Sequence, residues 1–387
     1  LRISGKNIKF SPMLKKRILL ASLLKPVNDS RMYEKTGISL AKLPNTEVHI
    51  AGFHANTSPG PANIFFHRLF NFQRLSLDRL KAQRKYWQLL LQLKPDVIIP
   101  NTYELLPLTV LYKLKKGATI IYDVRENYYA NIRYQPTFPK LARWLLANGV
   151  RLIEKLCAPW ISYFWLAEHS YAKELTFLKQ NHTVLENKYR GPENPIFQRP
   201  VRINPHSLNL LYSGTISEIY GIWEAVALAE KLHQLAPATH LTIIGYCPLP
   251  QTYARLKALI ADKPYISLTG GDRLVPHQEI IRAIHRADVG LLPYRHNKST
   301  WRCLPTKLFE YAANGLPCLI PQNPYWEDPV KAWDAGFSLD FMDPDAATVL
   351  ARLTTGSFYQ EGISKNVFWQ EEEKKMLAFF DQKPEYR

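Results

Sequence analysis

Leu304-Pro-Thr-Lys-Leu-Phe-Glu-Tyr-Ala-Ala-Asn-Gly-Leu-Pro-Cys-Leu-Ile320 is the stretch on which the fold reading turns. Pro305 can open a helix, where its missing donor costs nothing. Lys307 and Glu310 are three residues apart and share one helix face. Leu308, Phe309, Ala312 and Ala313 supply an apolar face behind them. Gly315 reads as the helix C-cap, and Leu316 to Ile320 as the strand that follows. A Glu near a helix N-terminus can accept hydrogen bonds from a vicinal diol such as ribose. A neighbouring Lys and the first-turn amides suit a pyrophosphate. Spacing alone favours a capped surface helix with an i, i+3 ion pair over this reading.

Working outward, short apolar runs alternate with helical patterns along the whole chain. Arg17–Leu24, Val48–Phe53, Asp96–Ile99, Thr119–Tyr122, Ile161–Trp165 and Thr183–Leu185 read as strands of a first parallel sheet. Helices are expected over Met32–Lys42, Leu77–Leu93, from Pro139, over Val150–Cys157 and over Ser170–Leu178. Residues 191–205 are rich in Pro and Asn and read as a linker. The rhythm then restarts, with strands at Asn209–Ser213, His240–Ile244, Ile266–Thr269, Asp288–Leu292 and Leu316–Ile320. Helices fall between them, and a last one covers Val367–Phe380. This is an α/β chain of two Rossmann-like halves, in which loops after strand carboxyl ends carry the chemistry.

At 387 residues the chain has room for two domains of ordinary size. Its four cysteines show neither CxxC nor metal spacing, so a reducing, cytoplasmic compartment is expected and no metal site is. The strongly apolar runs reach about ten residues, short of the roughly 20 that a membrane span needs. Residues 1–12 read as an upstream extension. Fifty Lys and Arg against 33 Asp and Glu give a net charge of +17. Arg68, Arg74, Arg79, Lys81, Arg84 and Lys85, interleaved with Phe65, Phe66, Phe70, Phe72 and Trp87, read as one basic aromatic helical segment. Such a segment suits an anionic membrane surface on the inner face or a phosphorylated substrate; as a solvated face over ordinary core it needs no partner. Nothing resembling a zinc finger, an RNP pattern or a recognition helix points to nucleic acid. The chain also lacks a GxSxG elbow and a GxxxxGKS loop, which argues against hydrolase and P-loop kinase chemistry.

Pro305-Thr-Lys-Leu-Phe-Glu-Tyr followed by Gly315-Leu-Pro resembles the donor-binding motif of GT-B glycosyltransferases, in particular glycosyltransferase family 4. Other pieces fall in that family's order. Leu211-Tyr-Ser-Gly-Thr215 resembles the first strand and turn of its nucleotide-binding domain, and Leu241-Thr-Ile-Ile-Gly245 the second strand. Ala287 to Tyr294 resembles the strand before the donor loop, Ile121 to Glu126 an Asp-x-His-Glu segment, and Glu186-Asn187 an Asn-containing strand end.

The resemblance implies the GT-B fold, with an acceptor-binding domain over 13–195, a nucleotide-sugar-binding domain over 206–362, and a helix over 363–387 that crosses back to the first domain. It implies a retaining hexosyltransferase that moves a sugar from a nucleotide-diphosphate sugar, expected to be a UDP-sugar, to a glycan or polyprenyl-linked acceptor in cell-surface polysaccharide synthesis. No further cofactor is implied. The nucleotide side would comprise Ser213, Gly214, Thr215, Gly245, Arg295, Leu304, Pro305, Thr306, Lys307 and Glu310, with Glu310 on the ribose. Asn28 to Arg31 would face the diphosphate. Arg125, Glu126, Arg302 and Lys307 would be the residues nearest the reaction. The sequence departs from the family where its first motif glutamate would stand, which is Arg302, and where its usual His would stand, which is Arg125. These departures keep two alternatives in play, a GT-B nucleotide-sugar epimerase and a non-catalytic nucleotide-sugar-binding assembly protein.

Overall fold

A computed structural model describes residues 15–57, 59–72, 76, 78–134, 139–178, 180–192, 197, 199–204 and 206–382. Residues 1–14 and Arg74 lie outside these, as does part of the 191–205 linker. The chain divides by packing into two units. The first comprises 1–129, 144–185 and 373–387, and the second 130–143 and 186–372. The division therefore falls between Leu185 and Glu186, ahead of the Pro-rich stretch, and residues 130–143 pack with the second unit.

The first unit holds seven parallel strands: β1 (Lys16–Pro26), β2 (Thr46–Phe53), β3 (Ile64–Phe70), β4 (Val97–Pro100), β5 (Thr119–Val124), β6 (Tyr163–Leu166) and β7 (His182–Val184). Their order is β3-β2-β1-β4-β5-β6-β7. Ile18 to Ala21 on β1 and Val97 to Ile99 on β4 are fully buried. A central strand of a parallel sheet is covered on both faces, which is why these read as continuous apolar runs. Phe379 and Phe380 of the final helix, Trp369–Gln382, pack against Tyr163 and Trp165 of β6.

The second unit holds β8 (Leu208–Thr215), β9 (Thr239–Tyr246), β10 (Ile266–Gly271), β11 (Val289–Leu291), β12 (Cys318–Pro321) and β13 (Gly336–Leu339) in the order β10-β9-β8-β11-β12-β13. All neighbouring pairs are parallel. In both sheets the order reverses beside the first strand, between β1 and β4 and between β8 and β11. These are the switch points at which doubly wound sheets bind ligands.

Two expectations are corrected, and one strand is added. Ile64–Phe70 is the edge strand β3, where a helix was expected; helix begins only at Asp78 and runs to Leu93. Exposed Arg68 on that strand is an edge charge, which protects the sheet edge and blurs its alternation. Lys140–Cys157 is one continuous helix where two were expected. Gly336–Leu339 is an unforeseen strand, short and opened by a glycine at φ +136°.

Candidate active site

In the second unit, β8 ends on Ser213-Gly214-Thr215 at the switch point, and Thr306–Ala313 is the helix seated beside it. The last six residues of that helix are buried, so it is driven into the core rather than laid on the surface. Ser213 Oγ lies 2.9 Å from the Tyr311 hydroxyl, which ties the strand end to the helix. Asn187 donates to Thr306 Oγ1 at 3.0 Å and steadies the helix start. The first amides of a helix lack intrahelical acceptors, so Thr306 and Lys307 present N–H donors here, while Pro305 has none to give.

Lys307 leans back over β8. A Cβ added at Gly214 would stand 3.1 Å from Lys307 Cε, and Gly214 has φ +108°, a region that favours glycine. Three neighbouring strands carry a glycine one residue before their ends: Gly214 pairs with Gly245, and Gly245 with Gly270. A Cβ at Gly245 would collide with the Gly214 carbonyl oxygen at 1.7 Å. Gly245 is buried beneath the Gly214 carbonyl, while Gly214 and Gly270 are half-buried, with Lys307 standing over the first and Val275 over the second.

Glu310 is buried, and its two carboxylate oxygens are taken separately, one by His277 and one by Lys307. Burial pushes its pKa up, but the Lys307 charge and the hydrogen bonds from His277 and Lys307 outweigh this and hold it at about 2. Glu310 is thus a fixed carboxylate with oriented oxygens, each retaining acceptor capacity. Asn314 donates to the Glu310 carbonyl and is itself held by His285. His277 escaped the sequence reading. It lies 33 residues from Glu310, at the start of the helix after β10, and no local spacing links them.

The other expected donor-side residues are dispersed. Arg295 forms an ion pair with Glu224 at the first turn of helix Ile222–Leu235. Arg302 is exposed and lies 6.0 Å from the Tyr325 ring centroid. Its loop is anchored by Trp326, which donates to the Cys303 carbonyl at 2.8 Å, and by Asn323, which donates to the Trp301 carbonyl at 2.9 Å. Leu304 and Pro305 are half-buried at the helix start.

Arg125 and Glu126 lie in the first unit and part company there. Arg125 pairs with Asp29 at 2.8 Å. Burial disfavours the Asp29 charge, yet Arg125 holds its pKa below the usual carboxylate range. Arg31 is fully buried and grips Asp123 through Nη2 at 2.7 Å and Nε at 3.0 Å, with Asn101 adding 2.6 Å. Glu126 is 3.7 Å from Lys25, and both line a cavity of about 290 Å³ with Phe53, Phe72, Thr102 and Tyr128. Aromatic faces beside paired charges suit a sugar ring and its hydroxyls. Among the described residues, no group of three or more His, Cys, Asp or Glu could hold a metal ion.

No family model and no curated protein sequence matches the chain. Solved structures do. Sucrose-phosphate synthase from Thermosynechococcus elongatus is similar over 95% of this chain and 99% of its own, at TM-score 0.70 and 13% identity. HepE from Anabaena, solved with UDP and glucose, is similar over 95% of this chain and 100% of its own, at TM-score 0.60 and 12% identity. The chain has the GT-B fold. A putative UDP-N-acetylglucosamine 2-epimerase from Listeria monocytogenes is also similar, over 96% of this chain and 98% of its own, at TM-score 0.59 and 10% identity. At such identities the likeness establishes the two Rossmann-like parallel-sheet units of a GT-B chain and nothing finer.

Proposed function

We propose that this chain is a retaining glycosyltransferase that moves a hexosyl group from a UDP-sugar to a glycan or polyprenyl-linked acceptor in cell-surface polysaccharide synthesis. One observation carries the reading. Lys307 and the carboxylate of Glu310 stand beside the side-chain-free strand end Gly214, at the N-terminus of a buried helix and at the switch point of the second sheet. That set matches a nucleoside diphosphate, with Glu310 on the ribose diol and Lys307 with the helix amides on the phosphates. The UDP and glucose bound to HepE support the choice of donor.

In the reaction, the bond from sugar C1 to the phosphate oxygen breaks and its electron pair stays on the departing diphosphate. The acceptor oxygen forms the new bond to C1 on the same face, and its proton passes to the departing phosphate oxygen. Lys307 and the helix N-terminus stabilise the charge that builds on the diphosphate. The cavity beside Lys25 and Glu126 is assigned to the acceptor.

The test is incubation with UDP-glucose and UDP-N-acetylglucosamine, with and without added glycan acceptors, while free UDP and the sugar are followed. The expected result is UDP release that depends on acceptor. The epimerase-like neighbour motivates the second reading. Conversion of the sugar with no acceptor present would favour that reading and overturn the transferase.

A further inference from the structure

The first unit carries an apolar surface that its own fold leaves uncovered. On helix Lys140–Cys157, Ala147, Val150, Glu154 and Cys157 face the core. The opposite face presents Trp144, Leu145, Leu152 and Leu156, each at least half exposed. The neighbouring helix Leu106–Lys116 adds Leu111 and Leu114. Helix Leu106–Lys116 reaches the segment that follows helix Lys140–Cys157, where Lys113 donates to the Trp160 carbonyl and to Ser162, both at 2.8 Å, and Trp160 is itself 44% exposed. Scattered single leucines on a surface are ordinary, but a run of this length along one helix and the turn after it marks an interaction site.

Charge selects the occupant. Helix Leu106–Lys116 contains no carboxylate, and the one on helix Lys140–Cys157, Glu154, points inward. Lys155 stands among the exposed leucines, and Lys115, 5.7 Å from the Trp87 ring centroid, and Lys116 end helix Leu106–Lys116. Lys116 also lines a basic pocket at the amino-terminal edge of the sheet, in which five Lys or Arg accompany one carboxylate, Asp96. Glu47 pairs with Lys15 and Arg17 there, which lowers the charge without reversing it. A second copy of the chain would set lysine against lysine. No helix among the described residues is long and apolar enough to cross a membrane.

We infer that this face, built from Trp144–Trp160 and Leu111–Lys116, docks the first unit on an anionic bilayer. Leucines and tryptophans enter the headgroup boundary, and lysines meet lipid phosphates. Tryptophan at such a boundary and lysine stems along apolar surface are the side chains this geometry favours. The inference deepens the lipid-linked acceptor of the proposed function, but it stands on residues remote in sequence from the nucleotide site.

The full chain is sedimented with phosphatidylcholine vesicles and with the same vesicles containing phosphatidylglycerol. Two surface variants are compared, Trp144→Ser/Leu152→Ser/Leu156→Ser and Lys115→Glu/Lys116→Glu. Wild type should partition onto the anionic vesicles and far less onto the neutral ones. The apolar variant should lose at least about tenfold in partition. The charge variant should lose at least about twentyfold, since each lysine near an anionic surface is worth about 1 kcal/mol, or about fivefold. Equal binding by wild type and both variants, or no sedimentation with either lipid, overturns the inference. So does a concentration-dependent dimer that the apolar variant abolishes without any vesicle binding, which would assign the face to a second copy. UDP titration of the same variants separates the two proposals, because vesicle binding can fail while nucleotide binding persists, and the reverse.

Discussion

Near the carboxyl edge of its sheet the second unit lines up Gly214, Gly245 and Gly270, each one residue before the end of its strand, whereas the first unit, with the same strand order through its first six strands, fills that edge with paired charges. There Arg31 holds Asp123 and Arg125 holds Asp29. One edge sets half-buried glycine backbone beside the Lys307 side chain. The other is already neutralised by its own side chains, and its open space is the aromatic cavity beside Lys25 and Glu126. One topology can thus prepare two kinds of site by what ends its strands. Their buried carboxylates diverge in the same way. Glu310 is held at about 2 by Lys307 and His277 against the pull of burial, while burial drives Glu154 up to about 7 despite Arg151 at 3.4 Å and the Tyr122 hydroxyl at 3.1 Å.

The sharpest way to break the comparison is to add side chains where the second unit has none. Gly245→Val puts atoms into the Gly214 carbonyl and should cost more than about 4 kcal/mol, read as loss of cooperative unfolding or of soluble protein. Gly214→Ala meets only the flexible end of Lys307 and a strained φ, so about 1–3 kcal/mol is expected, with weakened UDP binding. In the first unit, Asp123→Ala strands the buried Arg31 guanidinium and should cost about 3–5 kcal/mol in urea unfolding. A loss below about 1 kcal/mol there would show that the edge is not held by its ion pair.

The pH responses should have opposite signs. Glu310 has a depressed pKa, so its contribution to stability is present above the usual carboxylate pKa and is lost as the pH falls toward about 2. Glu154 has a raised pKa. Between the usual carboxylate value and about 7 the folded chain keeps a proton that the unfolded chain releases, so stability falls as pH rises through that window. Glu154→Gln should flatten the melting-temperature profile over that window, and an unchanged slope would contradict the assignment. The smallest effect is expected at exposed Arg302. Arg302→Ala should leave uridine binding unchanged and weaken UDP a few-fold, by less than about 1 kcal/mol.

Much of this was legible in the sequence because buried parallel strands write themselves as unbroken apolar runs. Ile18–Ala21 and Val97–Ile99 are fully buried for the reason that made them readable. The helix at Thr306 was marked by Pro305 before it and Gly315 after it. Ile64–Phe70 was not legible, because an edge strand with one solvated face carries the charge of a surface helix. The site was half legible. Lys307 and Glu310 share a helix and a local spacing, whereas His277 reaches Glu310, and Glu224 reaches Arg295, only through the folded sheet. Arg125 looked like a site residue by position, and in the structure its charge is met by Asp29.

The most direct test of the central claim is a calorimetric titration of UDP into the wild-type chain and into Glu310→Gln. The account predicts saturable binding by wild type and at least about tenfold weaker binding by the variant, since a ribose diol would lose its charged acceptor. Absence of UDP binding by wild type, or equal affinity in the two proteins, would contradict the placement of the nucleotide at the Gly214 strand end.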